Sequence, residues 1–278
     1  MEANDFTPSG SKNDVDYVSA AFLAEFLTQA GADSEILSPA LLSDLDSFFK
    51  KFGFQHVIIS KKAGKNTNSS VNEIWSKFFE ILPTSRRSDE IHYYRGIEIE
   101  AENENTLFNL IRKERPHADF LTVRSADEKV IRAAANLKEV DAVLPIFNSP
   151  PKPVAGQINH IVAKIAAENR TAFGFDLSPF LFIKGYRRST LFSNVIEMIP
   201  ILRKYNVPIL LFSGASSVYE ARGPYELEAF GRLIGLKQEE AAQSVLLNLF
   251  DLLQERKKKS SGLQISHGVE ILPPNDNE

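Results

Sequence analysis

Five histidines, His56, His92, His117, His160 and His267, are the first residues to weigh for metal or general-base chemistry. No two fall at His-x-His or His-x-x-x-His spacing, whereas a two-metal phosphoesterase site needs about eight ligands gathered at strand ends. All five therefore read as ordinary surface or partly buried residues. No catalytic and no metal-binding residue is assigned. Glu98 and Glu100 alternate along one strand and so share a face, where two carboxylates could bind Mg²⁺ or act as acid and base. A solvated strand end running into the acidic helix cap is the favoured reading. Asp176 closes a strand at its C-terminal end, where barrels keep their sites, or merely begins the turn Asp176-Leu177-Ser178-Pro179. The chain has no cysteine, which removes thiolate ligands, a cysteine nucleophile and disulfides and fits a reducing compartment. No Ser-His-Asp set can be assembled from spacing.

The basic residues offer different chemistry. Lys184-Gly185-Tyr186-Arg187-Arg188 sets three cations beside an aromatic ring, just after a strand and the Pro179 turn. Arginine forks onto phosphates and tyrosine stacks on unpaired bases, so Lys184, Arg187 and Arg188 are candidate RNA contacts. Arg95, Arg124, Lys152 and Arg222 lie near strand ends or loops and could extend the patch. Ser213-Gly214-Ala215 is a small-residue loop whose N–H groups could cradle an anion beside Arg222, or that is small only for close packing. Arg256-Lys257-Lys258-Lys259 ends a helix, where the macrodipole favours cations without any RNA.

These groups must be positioned by a regular alternation of elements. Apolar runs at 54–60, 93–100, 120–124, 141–147, 171–177 and 207–213 read as strands. Helical stripes lie at 18–30, 39–52, 70–82, 103–114, 156–169, 189–205, 224–234 and 237–258. Ser70 with Glu73 and Ser125 with Glu128 look like capping boxes, Asn103 like an N-cap, and 61–69 like a polar loop. Residues 268–272 could add one short strand. Strands on a repeat of roughly 25–35 residues, with no GxGxxG opening a helix, favour a (β/α) barrel over a doubly wound sheet. The expected organisation is a flexible segment 1–15, one barrel domain 16–272 and a tail 273–278. The 278 residues carry a net charge of −4, so RNA affinity must come from a local patch. No membrane span or signal peptide is visible, and the chain is expected to be soluble and intracellular.

Two blocks carry a resemblance. One runs from Lys204-Tyr205 through Val207-Pro208, Ser213-Gly214-Ala215 and Arg222 to Leu233-Ile234-Gly235-Leu236. The other is Gly156-Gln157-Ile158-Asn159-His160 leading into Phe173-Gly174-Phe175-Asp176. Together with Arg187-Arg188 they resemble the ribonuclease P protein component 3 family over roughly residues 90–245. The first 50 residues match poorly: no opening of the type Tyr-Asp-Leu is evident, and the first strand is left unassigned. The resemblance implies a TIM-like barrel of about seven strands, related to the polymerase-and-histidinol-phosphatase barrels. It implies a protein subunit of the ribonucleoprotein that removes 5′ leaders from precursor tRNA, with catalysis and Mg²⁺ residing in the RNA component. The chain itself is then expected to bind no cofactor. Implied partners are ribonuclease P RNA, precursor tRNA and ribonuclease P protein component 2, in a heterotetramer. A long basic C-terminal tail is missing, which favours an archaeal, cytoplasmic protein. The rival readings are an autonomous metal-dependent phosphoesterase and a barrel that only scaffolds proteins.

Overall fold

The computed structural model describes residues 15–29, 39–65, 67–83, 90–146, 158–246, 248–260, 264–266 and 269–270. The apolar runs form β2 (His56–Gly64), β3 (His92–Glu100), β4 (Phe120–Ser125), β5 (Ala142–Pro145), β6 (Ala172–Asp176) and β7 (Ile209–Phe212), preceded by β1 (Val15–Ser19). Each pairs in parallel with its sequence neighbour, giving one sheet ordered β1 to β7. Parallel neighbours require crossovers, and helices supply them. These are α1 (Ala20–Gln29), α2 (Pro39–Phe52), α3 (Ser69–Ile81), α4 (Glu104–Glu114), α5 (Glu128–Ala135), α6 (His160–Asn169), α7 (Ser178–Phe182) and α8 (Tyr186–Lys204). After β7 come α9 (Pro224–Leu233), α10 (Gln238–Leu246) and α11 (Asn248–Ser260). The sheet closes on itself through the residues beyond β7. Gly214 N–H donates to the Tyr17 carbonyl at 3.2 Å, and Ser19 N–H donates to the Ala215 carbonyl at 2.9 Å. The result is a seven-stranded TIM-like (β/α) barrel.

Alternation along the strands divides the core in two. Tyr17, Ile58, Phe120, Leu144, Leu210 and Phe212 fill the barrel, and Leu249, Leu252 and Leu253 of α11 plug it. Each buried leucine of that plug contributes about 1.5–3 kcal/mol. Outside the barrel, helix stripes such as Trp75, Phe78 and Phe79 of α3 pack on the outward strand faces. Trp75 Nε1 also donates to the Ile59 carbonyl at 2.7 Å, so its polar edge is satisfied. Inside, the space is tight. A Cβ on Gly96 would lie 2.7 Å from Ile58 Cγ2 and 2.9 Å from Ser60 Cα, so this position of β3 tolerates no side chain.

Several expectations need correction. β1 begins at Val15, and Val18, read as the start of a helical stripe, belongs to this strand. Residues 1–14 lie outside the described residues, as do 273–278. β2 runs past the apolar segment to Gly64, because its ladder with β3 continues through Gly64 opposite Glu100. Residues 61–64, expected in a loop, are therefore strand. The cap of α3 is Asn68, whose side chain accepts from Ser70 and Val71 N–H, and the cap of α5 is Asp127; neither capping box forms as expected. Asn103 does cap α4, accepting from Thr106 N–H. α8 starts at Tyr186, so Arg187 and Arg188 sit in its first turn. The expected helix at 237–258 is two helices, α10 and α11. β8 (Gln264–Ser266) pairs antiparallel with β9 (Val269–Glu270) in a separate small sheet.

Candidate functional site

Period two along β3 sends Glu98 and Glu100 to the inner face near the C-terminal mouth of the barrel. Arg124 of β4 and Asp176 of β6 reach the same place. Arg124 Nη2 lies 2.8 Å from Glu98 Oε2 and 2.6 Å from Asp176 Oδ2. Lys62 of β2 completes the cluster, with Nζ 2.9 Å from Glu100 Oε1 and 3.7 Å from Glu98 Oε1. Burial raises the pKa of Glu98, but Arg124 and Lys62 outweigh it and hold the carboxyl below its ordinary value. At Asp176 burial prevails over Arg124 and moves the carboxyl upward. Burial opposes the charge on Arg124, yet Asp176 and Glu98 more than compensate. Glu98 is nearly buried, and Tyr17 Oη, 3.0 Å from Thr122 Oγ1, approaches Glu98 Oε2 at 3.5 Å.

Glu98 and Asp176 are bridged by one guanidinium. Among the described residues, no three His, Cys, Asp or Glu side chains gather as metal ligands would. Not every group of the cluster is saturated. Asp176 Oδ1 accepts no hydrogen bond among the described residues although it is buried.

A second polar contact closes the barrel seam. Asp16 is fully buried and accepts from Tyr17 N–H at 2.8 Å, Ser213 N–H at 3.0 Å and Ser213 Oγ at 2.7 Å. Burial pushes its carboxyl up to about 7 in spite of those donors. The Ser213-Gly214-Ala215 loop is thereby accounted for. Ser213 N–H serves Asp16, Gly214 N–H serves Tyr17, Ala215 N–H serves Ser213 Oγ and Ser216 N–H serves Glu220. The loop is small for close packing, since a Cβ on Gly214 would lie 2.7 Å from Asp176 Cβ. The anion-cradle reading is corrected, because its donors are spent within the fold.

The rim of the mouth carries exposed aromatics and cations. Phe182, Tyr186 and Tyr219 are 61%, 77% and 76% exposed, values that mark side chains held out of the core. They come from the segments that follow β6 and β7, which are fastened together by Glu220, accepting from Ser178 Oγ at 2.9 Å and from Ser216. Lys184 and Arg187 are exposed beside them. Arg188 is not available in the same way: its Nε donates to the Ile183 carbonyl at 2.6 Å and its Nη2 to the Leu181 carbonyl at 3.1 Å. Arg222 is half-buried like Arg188 but, among the described residues, engages Nη1 alone, which donates to the carbonyls of Tyr219 and Ala221. Residues 178–196 contain no Asp or Glu, and the one acid in 213–225, Glu220, is buried in the latch.

The remaining candidates scatter. Arg95 sits near the N-terminal end of β3, its guanidinium 5.5 Å from the Phe79 ring centroid, at the opposite end of the barrel from the rim. Arg124 lies in the mouth, between two carboxylates. Lys152 and His267 lie outside the described residues. His56 packs on His92 and Phe250, and His160 on Tyr205. Arg256, assigned to a helix end, reaches buried Asp141 together with Arg115. Sequence reading missed Lys62, Asp16, Phe182 and Tyr219. For Lys62 the signal was available, since Lys62 stands two residues past inward Ser60.

Fold and site together define a TIM-like barrel protein whose mouth carboxylates are ion-paired with Arg124 and Lys62 from within and whose rim is cationic and aromatic. The chain belongs to the RNase P subunit p30 family, a model of which matches residues 40–261. Ribonuclease P protein component 3 of Methanosarcina mazei is 34% identical over 235 residues, covering 84% of this chain and 91% of the relative. The protein of the same name from Methanococcoides burtonii is 33% identical over 181 residues, covering 65% and 73%. A chain in the cryo-EM structure of archaeal ribonuclease P with mature tRNA shares the fold, with a TM-score of 0.66 at 18% identity over 94% of this chain and 99% of that one.

Proposed function

We propose that the chain supports the RNA-catalysed removal of 5′ leaders from precursor tRNA by supplying binding surface rather than a hydrolytic centre. One observation carries this reading: Arg124 stands between Glu98 and Asp176, so the carboxylates best placed for chemistry are engaged by a cation of the chain itself. Phosphate contact falls to the rim, to exposed Lys184 and Arg187 on a stretch, 178–196, without Asp or Glu, and to half-buried Arg222. Mg²⁺ belongs, in this reading, to the RNA. Ribonuclease P protein component 2 is the protein partner, in a heterotetramer, and the assembly works in the cytoplasm. No helix among the described residues is long and apolar enough to cross a membrane.

Filter binding of the chain with component 2 to ribonuclease P RNA, across a salt series, tests the reading. Each phosphate contact adds about 0.7–0.9 to the slope of log affinity against log salt. Three rim cations then account for roughly two to three units of it. Failure of the RNA to bind at any salt, or a slope unaffected by removing these cations, rejects the proposed surface.

A further inference from the structure

A cavity of about 270 Å³ opens at the mouth over the ends of β4, β5 and β6. Its walls are apolar: Ile146, Phe175, Pro179, Phe180, Ile183 and Leu191. Arg124 and Asp176 are the charged groups that line it. Both have unused hydrogen-bonding capacity. Arg124 makes its two ion pairs through Nη2, and among the described residues Nε and Nη1 donate to nothing. Asp176 has only 8% of its side chain exposed, and its Oδ1 is the buried polar atom without a partner. A donor edge and an acceptor edge thus stand side by side within an otherwise greasy chamber. Ile183 and Leu191, on its wall, bracket Lys184 and Arg187 in sequence.

From this we infer that the cavity receives an unpaired nucleobase of the RNA held by the rim. The volume falls just below the ~300 Å³ at which sites for drug-sized molecules begin, and so suits a base rather than a whole nucleotide. Apolar and aromatic walls sandwich a flat ring, while hydrogen bonds read its Watson–Crick edge. Such an edge offers an acceptor beside a donor. Cytosine matches: its exocyclic amine gives a hydrogen to Asp176 Oδ1, and its ring N3 accepts from Arg124. The exposed cations Lys184 and Arg187 beside the cavity, in a stretch without Asp or Glu, favour a polyanionic occupant over a polypeptide. The inference rests on the rim being the RNA surface, and the test separates the two.

The full chain, labelled at Ile and Leu methyls, is titrated with a short oligocytidylate and with its fully abasic counterpart of equal length. The expected result is that the Ile146, Ile183 and Leu191 methyl resonances move with oligocytidylate and stay still with the abasic chain, which binds through phosphates alone. Ile183→Trp, which fills the cavity from a half-buried position, should weaken oligocytidylate about ten-fold, within the range of one lost stacked base, and leave abasic affinity unchanged. Oligocytidylate that binds without moving these methyls, or an abasic chain that moves them equally, overturns the base pocket and leaves the rim standing. If neither oligomer binds at low salt, pocket and rim both fall. The methyl spectra of the unaltered chain decide the matter even if the tryptophan variant fails to fold.

Discussion

Asp16 on β1 and Ser213 beyond β7 are joined by two hydrogen bonds, 3.0 Å to the serine N–H and 2.7 Å to its Oγ. They meet across 197 residues of sequence. This pair, with Gly214 N–H on Tyr17 and Ser19 N–H on Ala215, is what turns an open parallel sheet into a barrel. A buried aspartate at the seam makes closure sensitive to protonation.

Burial raises Asp16 from 3.8 to about 7. Within that interval the folded chain holds a proton that the unfolded chain has released, so this group makes stability fall as pH rises, and its favourable contribution is complete only below 3.8. Asp16→Asn keeps an acceptor for the Tyr17 and Ser213 N–H groups and removes the titration. Asp176 shifts in the same direction and Glu98 in the opposite one, so the informative quantity is the difference between variant and parent. Urea midpoints across this window should decline less steeply for Asp16→Asn. Parallel pH profiles would show that Asp16 is already ionised in the folded chain.

Arg124→Met leaves Glu98 and Asp176 buried and facing each other without their bridge. Removing one member of a buried ion pair costs about 3–5 kcal/mol. Because Lys62 still reaches Glu98, the lower end of that range is expected. Adding Glu98→Gln and Asp176→Asn to Arg124→Met should restore most of the loss, since the uncompensated charges go with them. Guanidinium unfolding of the single and triple variants measures this; a triple variant no more stable than the single one argues that the arginine acts by packing.

On the rim, the adjacent arginines should behave differently. Arg187→Ala together with Lys184→Ala is expected to flatten the salt slope of RNA binding by about one to two units with no change in stability. Arg188→Ala instead leaves the Ile183 and Leu181 carbonyls without their donor. It should cost about 1.5–3 kcal/mol, the range for hydrogen bonds to a charged group. Lys164→Ala, on the exposed face of α6, is the control for binding. Equal slopes for Lys184/Arg187 and for the control would move the RNA surface elsewhere.

Most of the barrel was legible in the chain because six of its strands are short apolar runs between amphipathic stripes. β1 escaped for a physical reason. Val15-Asp16-Tyr17-Val18-Ser19 places a carboxylate where a buried strand ordinarily has an aliphatic side chain, and only Ser213, far along the sequence, makes that tolerable. The mouth was half legible. Glu98, Glu100 and Asp176 could be put at strand ends by alternation. That Arg124 would be drawn inward between them depends on how β3, β4, β5 and β6 curve around the axis, which no local pattern encodes. Lys62 follows the same alternation, two residues past inward Ser60, a signal that could be used only by carrying β2 on into the polar residues 61–64. The rim cluster was visible as a run of charges, but not that Arg188 would turn back to cap carbonyls while Arg187 stays outside.

A chain that supplies binding surface rather than a hydrolytic centre hydrolyses nothing by itself. The decisive measurement is a cleavage assay on precursor tRNA with Mg²⁺, Mn²⁺ or Zn²⁺, run with the chain alone and with the chain, component 2 and ribonuclease P RNA together. The expected outcome is no turnover by the chain alone, and cleavage at the leader junction only when the RNA is present, stimulated by the protein. Metal-dependent turnover by the chain alone, lost on Glu98→Gln or Asp176→Asn, would contradict it and make the mouth an active site.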